Sequence, residues 1–191
     1  MKVLVTAASK HGATAEIAWA IGEVLSERGL ETRVMPPDDV GTIAGYDAVV
    51  LGSATYAGHW LDPAKAFVTR FRDSLITRPV WLFSSGPVGD PSRKLVRRMG
   101  ADPLEVAGIL AVTNARGHRV FAGKLDRKYL SRGQRTALAL FRGLEGDFRD
   151  WDDIRGWAAA IADELGAGRR ARGEGGDVPL AGPSTGRTVP V

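Results

Sequence analysis

Short apolar runs alternate with segments of helical spacing along most of this chain, and that alternation leaves few folds open. Residues 2–6 form a β-rich run, and residues 13–28 follow with Ile17, Ala20, Ile21, Val24 and Leu25 on one helical face. Gly29 ends that helix as a C-terminal glycine does. Residues 31–35 make a second strand closed by Pro36 and Pro37, and residues 46–51 a third, apolar almost throughout, as burial on both faces of a parallel sheet requires. Asp62 and Pro63 read as N-cap and first residue of a helix with Phe67, Phe71 and Leu75 on one side. Residues 79–84 supply the fourth strand. Residues 104–113 suit helix or strand by composition. Asp102-Pro103 as a start, Glu105 at the third helical position and a stop in residues 114–117 select helix, leaving residues 118–122 as the fifth strand. Two further helices are expected, from Leu125 to Phe141 and from Trp151 to Leu165, the latter capped by Asp150 with Asp152 and Asp153 in its first turn. Such alternation predicts an α/β doubly wound five-stranded parallel sheet with helices on both faces.

Length and composition narrow the chemistry. A chain of 191 residues, 44% hydrophobic, holds one α/β domain with a full core, expected at residues 1–167. Residues 168–191 are rich in Gly, Pro and Arg, cannot bury a core, and read as a disordered C-terminal tail. With no Cys, disulfide and thiolate chemistry are excluded, so redox work needs a bound cofactor. The start is a short strand-like run rather than a signal peptide, and no run reaches transmembrane length, so a soluble cytoplasmic protein is expected. A net charge of +4 and a pI near 9.7 suit an anionic partner: a phosphate cofactor, a membrane surface or nucleic acid. Lys and Arg are spread without a recognised nucleic-acid motif, which disfavours the last.

In a doubly wound sheet the ligand sits beyond the carboxyl ends of the strands, where the strand order reverses. The first loop there runs Ala7, Ala8, Ser9, Lys10, His11, Gly12, Ala13, Thr14. Its backbone N–H groups, the hydroxyls of Ser9 and Thr14, and the positive end of the following helix can cradle a phosphate dianion, and Gly12 allows close approach. A merely capped helix is the alternative reading. The loop lacks G-x-G-x-x-G and G-x-x-x-x-G-K-[ST], which disfavours dinucleotide and triphosphate sites. No acidic cluster ends the first or third strand, so a magnesium-binding receiver domain is excluded, and no metal site is expected. The second loop, Gly52, Ser53, Ala54, Thr55, Tyr56, Ala57, Gly58, His59, Trp60, mixes small residues with aromatics as a planar ring system requires, core packing being the alternative for Trp60. The third, Ser84, Ser85, Gly86, Pro87, Val88, Gly89, can meet the ring's polar edge with backbone groups, or be an ordinary turn.

Together these loops resemble the flavodoxin superfamily over most of residues 2–165, and are most similar to its menaquinone-dependent protoporphyrinogen oxidase branch. The resemblance rests on Ser9 to Ala18, similar to an S/T-x-x-G-x-T-x-x-I-A opening. Tyr56-Ala57-Gly58-His59-Trp60 adds a Y-x-G-H-aromatic run, Val120 to Leu125 an apolar-apolar-x-G-x-L run, and Asp150-Trp151 completes the set. It implies a flavodoxin-like fold with strand order 2-1-3-4-5, and FMN as cofactor. Ser9, Lys10, Gly12, Ala13 and Thr14 become the phosphate site, with His11 a further candidate. Ser53, Ala54, Thr55, Tyr56, Ala57, Gly58, His59 and Trp60 become one wall of the isoalloxazine, and Ser84, Ser85, Gly86, Pro87, Val88 and Gly89 the other. Ala8 stands where the family's phosphate loop has another hydroxyl, and residues 84–89 differ from the oxidase's own loop.

With FMN performing the redox step, no protein acid or base is obligatory, so no catalytic residue is assigned. His118 reads as structural, while His59 can face the ring or its electron partner. The resemblance implies an FMN-dependent oxidoreductase passing electrons from a reduced organic substrate to a quinone or other acceptor; the alternative is a non-catalytic electron carrier. Carriers of this kind usually present acidic surfaces, whereas this chain is basic, with Arg127, Lys128, Arg132 and Arg135 close together. The helix from Leu125 to Phe141 can pack on the sheet or make a peripheral contact with an anionic membrane.

Overall fold

The computed structural model describes residues 1–86, 103–125 and 146–173. In chain order the elements are β1 (Lys2–Ala8), α1 (Ala13–Glu27), β2 (Glu31–Met35), β3 (Ala48–Tyr56), β4 (His59–Trp60), α2 (Asp62–Leu75), β5 (Val80–Ser85), α3 (Val106–Thr113), β6 (Gly117–Phe121), β7 (Lys124–Leu125), β8 (Gly146–Asp147) and α4 (Trp151–Gly173). The parallel strands lie in the order β2-β1-β3-β5-β6, with β4 an antiparallel addition to the end of β3. Apart from that short addition, this is the expected flavodoxin-like sheet.

Alternation along each strand divides the core in two. Val3, Val5, Ala7, Val50 and Phe83 face α1 and α4, packing on Ile17, Ile21, Leu25, Ile154 and Ile161. Leu4, Ala8, Leu51 and Leu82 face the other way, onto Phe67 and Leu75 of α2 and Val106 and Ile109 of α3. Each Val, Leu, Ile or Phe among them contributes about 1.5–3 kcal/mol on full burial, which is why short apolar runs suffice to fix these strands. Gly52, between β1 and β5, leaves room for the Phe83 ring; a Cβ there would lie 2.1 Å from its tip.

Several boundaries differ from expectation for physical reasons. β3 starts at Ala48 and runs to Tyr56, because Gly52 and Ser53 have parallel partners on both sides and Ala54 has one on β5, so the small residues expected to open a loop are strand. β1 likewise extends to Ala8. Asp62 is the first residue of α2 and not its N-cap, which is Leu61; its carboxylate pairs with Lys65 at 2.8 Å. Glu105 sits at the N-cap of α3 rather than inside the helix, its carboxylate drawn away to His59 and Trp60. Asn114, at φ 50, supplies the expected stop. β6 starts at Gly117 and ends at Phe121, one residue early at each end. Leu125 belongs to β7, paired with β8, so no helix begins there; residues 126–145 lie outside the described residues. Asp150 caps α4 as expected, its Oδ1 accepting from the Asp153 N–H at 3.0 Å. α4 then continues past Leu165 and Gly168 to Gly173, so the first residues expected to be disordered are helical.

Candidate functional site

β1 and β3 are neighbours whose following helices leave on opposite faces, so their carboxyl ends form the crevice at which ligands bind in such sheets. Here the first loop turns into α1 at Gly12, which adopts φ 89 and occupies the N-cap position. No side chain caps this helix; the Ser9 Oγ accepts from the Gly12 N–H at 3.1 Å, just before it. The first-turn N–H groups of a helix have no partners within it, so this start presents donors and a positive dipole end together. A Cβ at Gly12 would meet nothing within 4 Å. Ser9, Lys10, His11, Gly12 and Ala13 are at least partly accessible, whereas Thr14 is 2% exposed and faces inward.

The second loop shrinks to Ala57 and Gly58, at φ 51 and φ 82, a turn that lets Tyr56 pair with His59 and Thr55 with Trp60. Tyr56 is 43% exposed, and burial of the remainder pushes its phenol upward. Lys10 Nζ lies 5.4 Å from the centre of its ring and His11 meets the same ring edge-on, which brings the first and second loops together. Thr55 Oγ1 is buried without a hydrogen-bond partner among the described residues, next to Gly86. His59 Nδ1 bonds Glu105 at 2.6 Å, and Glu105 also accepts from the Trp60 N–H at 3.3 Å. Burial alone would raise the Glu105 carboxyl, but hydrogen bonds from His59 and the backbone hold it below its ordinary value.

Other expected site residues have structural partners instead. Trp60 is buried in the core beside Leu61 and Phe67, its Nε1 donating to Ser84 Oγ at 2.8 Å, so its ring takes the packing role and is no exposed wall. Ser84 Oγ also bonds His118 Nε2 at 2.8 Å. Ser53 donates to the Ala54 carbonyl and accepts from the Leu61 N–H, both at 2.9 Å. Ala54 and Ser85 are buried, and Gly86, at φ 133, donates its N–H to the Phe121 carbonyl. Pro87, Val88 and Gly89 lie outside the described residues. Among the described residues of these loops, those left at least partly accessible are residues 9–13 and residues 55–59.

The sequence matches the flavodoxin domain over residues 4–152. The chain belongs to the flavodoxin domain family. Among solved structures, a flavodoxin from the domain Archaea superposes with a TM-score of 0.60 at 18% identity, covering 86% of this chain and 99% of that one. A flavodoxin variant from Pseudomonas aeruginosa gives 0.53 at 20% identity, covering 85% and 97%. The rubredoxin oxygen:oxidoreductase of Desulfovibrio gigas gives 0.59 at 15% identity over 87% of this chain but 36% of its own, so the likeness is to one portion of a larger protein. At these identities the flavodoxin structures share the fold with this chain, and the family rests on the sequence match.

One residue of the flavodoxin domain escaped the sequence reading. Arg149, just before α4, is buried, and its guanidinium reaches the Ala13 carbonyl at 3.1 Å and Glu16 at 2.8 Å on α1. Its partners on α1 are distant in sequence, so only the Asp-x-Arg spacing to Asp147 gave any local signal. Among the described residues, no group of His, Asp and Glu is placed to hold a metal ion, and no helix is long and apolar enough to cross a membrane.

Proposed function

We propose that this flavodoxin domain binds FMN at the carboxyl edge of its sheet and acts as an oxidoreductase, passing electrons from a reduced organic substrate to a quinone or other acceptor. The carrying observation is the start of α1, uncapped by any side chain, with left-handed Gly12 open to an incoming group at the reversal of strand order. The residues fit FMN at two ends. Ser9, Lys10, His11, Gly12 and Ala13 would hold the phosphate through backbone donors and one cation. Tyr56 offers an aromatic face, and the Thr55 hydroxyl, without a partner among the described residues, a polar contact for the ring. Thr14, Ser53, Trp60 and Ser84 are buried and serve packing and hydrogen bonding within the domain.

When bound, FMN supplies hydride or single-electron chemistry. The chain's own part is to orient the ring, to exclude water from one side with the β3–β4 turn, and to hold His59 in place through Glu105. Whether the electrons come from a porphyrinogen, as the oxidase resemblance suggests, is decided by assaying the FMN-loaded protein for protoporphyrinogen oxidation with a soluble quinone under anaerobic conditions. Turnover supports the oxidoreductase. Rapid electron transfer to redox proteins without porphyrinogen turnover favours the carrier reading. The basic chain is also compatible with an anionic membrane surface carrying a lipid quinone, through the segment from Leu125 to Phe141; salt-sensitive co-sedimentation with anionic vesicles tests that proposal.

A further inference from the structure

Arg149 is the one buried charged side chain among the described residues, and its surroundings are built around it. Asp147 accepts from Nε at 2.8 Å and from Nη2 at 2.6 Å, a bidentate fork, and also from the Arg149 backbone N–H at 3.2 Å. Nη1 reaches the other way, donating to the Ala13 carbonyl at 3.1 Å and pairing with Glu16 at 2.8 Å. The guanidinium lies 4.4 Å from the centre of the Trp151 ring. Asp147 is itself fixed by the pairing of β8 with β7, and the Phe148 N–H donates to the Gly123 carbonyl at 3.2 Å. A rigid planar cation thus joins a small two-stranded ribbon to the first residue of α1.

Ala13 directly follows Gly12. Its peptide plane and those beside it direct the donors that face the crevice, and α1 has no side-chain cap to hold them. We infer that Arg149 is a positioning residue for the phosphate cradle, setting the orientation of the α1 start through the Ala13 carbonyl and thereby the preference for a phosphorylated over an unphosphorylated flavin. This inference rests on the FMN reading. Lys cannot replace it, because an ammonium is a point charge without the planar fork that spans Asp147 and Ala13 together.

The test is to measure dissociation constants for FMN and for riboflavin by quenching of flavin fluorescence in the full-length apoprotein and in the Arg149→Met, Arg149→Lys and Asp147→Ala variants, with circular dichroism as the folding control. The ratio of the riboflavin to the FMN constant falls about tenfold in each variant, the scale of one misdirected charge-assisted hydrogen bond, with riboflavin affinity little changed. Asp147→Ala separates positioning from field. It removes a negative charge, so electrostatics alone would tighten FMN, whereas loss of Arg149 orientation weakens it. It also decides the matter if Arg149→Met does not fold. An unchanged or raised ratio in Asp147→Ala, or parallel loss of both flavins, overturns the positioning role while leaving the FMN reading intact. Equal affinity of the unaltered protein for both flavins overturns the FMN reading itself, and the inference with it.

Discussion

An aspartate at Gly12 would find space for its Cβ, since nothing lies within 4 Å, so any effect must come from backbone and charge. At φ 89 a side chain costs on the order of 1–3 kcal/mol, partly offset because a carboxylate favours a helix start. Gly12→Asp should therefore melt within a few degrees of the unaltered protein yet lose roughly an order of magnitude or more in FMN affinity, since its charge opposes the phosphate. Paired thermal melts and flavin titrations check both halves. Thr55→Val makes the converse case: replacing a buried hydroxyl that has no partner among the described residues by a methyl leaves apoprotein stability unchanged or raises it by up to about 1 kcal/mol, while flavin affinity falls. A loss of stability on denaturant titration would mean the hydroxyl already has a partner. Asp147 is held below its ordinary value of 3.8 by the Arg149 hydrogen bonds. A carboxylate so depressed contributes stability that is complete above its ordinary value and lost as pH falls through the folded one. Melting temperature should accordingly drop on acidification below that range, and drop less steeply in Asp147→Ala.

At the scale of elements, β3 and its return through β4 decide what the site can be. Gly52→Ala would place a methyl against the Phe83 ring, in a strand flanked by β1 and β5, and should destabilise by about 1–3 kcal/mol. Trp60→Phe removes the indole donor from Ser84 and part of a buried ring, so it should cost a comparable amount, about 1–3 kcal/mol, with little change in flavin affinity. A large affinity loss with unchanged stability would make Trp60 a ring wall after all. These residues also show how far the sequence could be read. Helix α1 and strand β2 were legible because apolar spacing and glycine or proline stops are local signals, and Gly29 ends its helix at φ 81 as expected. The end of β3 was not, because Gly52, Ser53 and Ala54 have weak strand propensity of their own and are held extended by neighbours from elsewhere in the chain. Trp60 likewise looked the same in sequence whether packed or exposed; its partner, Ser84, lies on another strand.

For the whole molecule, a doubly wound parallel sheet was readable from the alternation of elements, because parallel strands joined by helices have few topologies available, and the flavodoxin resemblance supplied the order β2-β1-β3-β5-β6. The position of the crevice followed from that order, and with it the place of the α1 start at Gly12. The brace at Arg149 did not, since it depends on the last helix returning beside the first, a contact between the two ends of the domain that no local pattern encodes. The account's central claim is that the crevice is made for a flavin carrying a phosphate. Its most direct test is titration of the purified apoprotein with FMN and with riboflavin, followed by flavin absorption and fluorescence. The account predicts flavin bands and tighter binding of FMN. Equal affinity for the two flavins, or no binding of either, would contradict it.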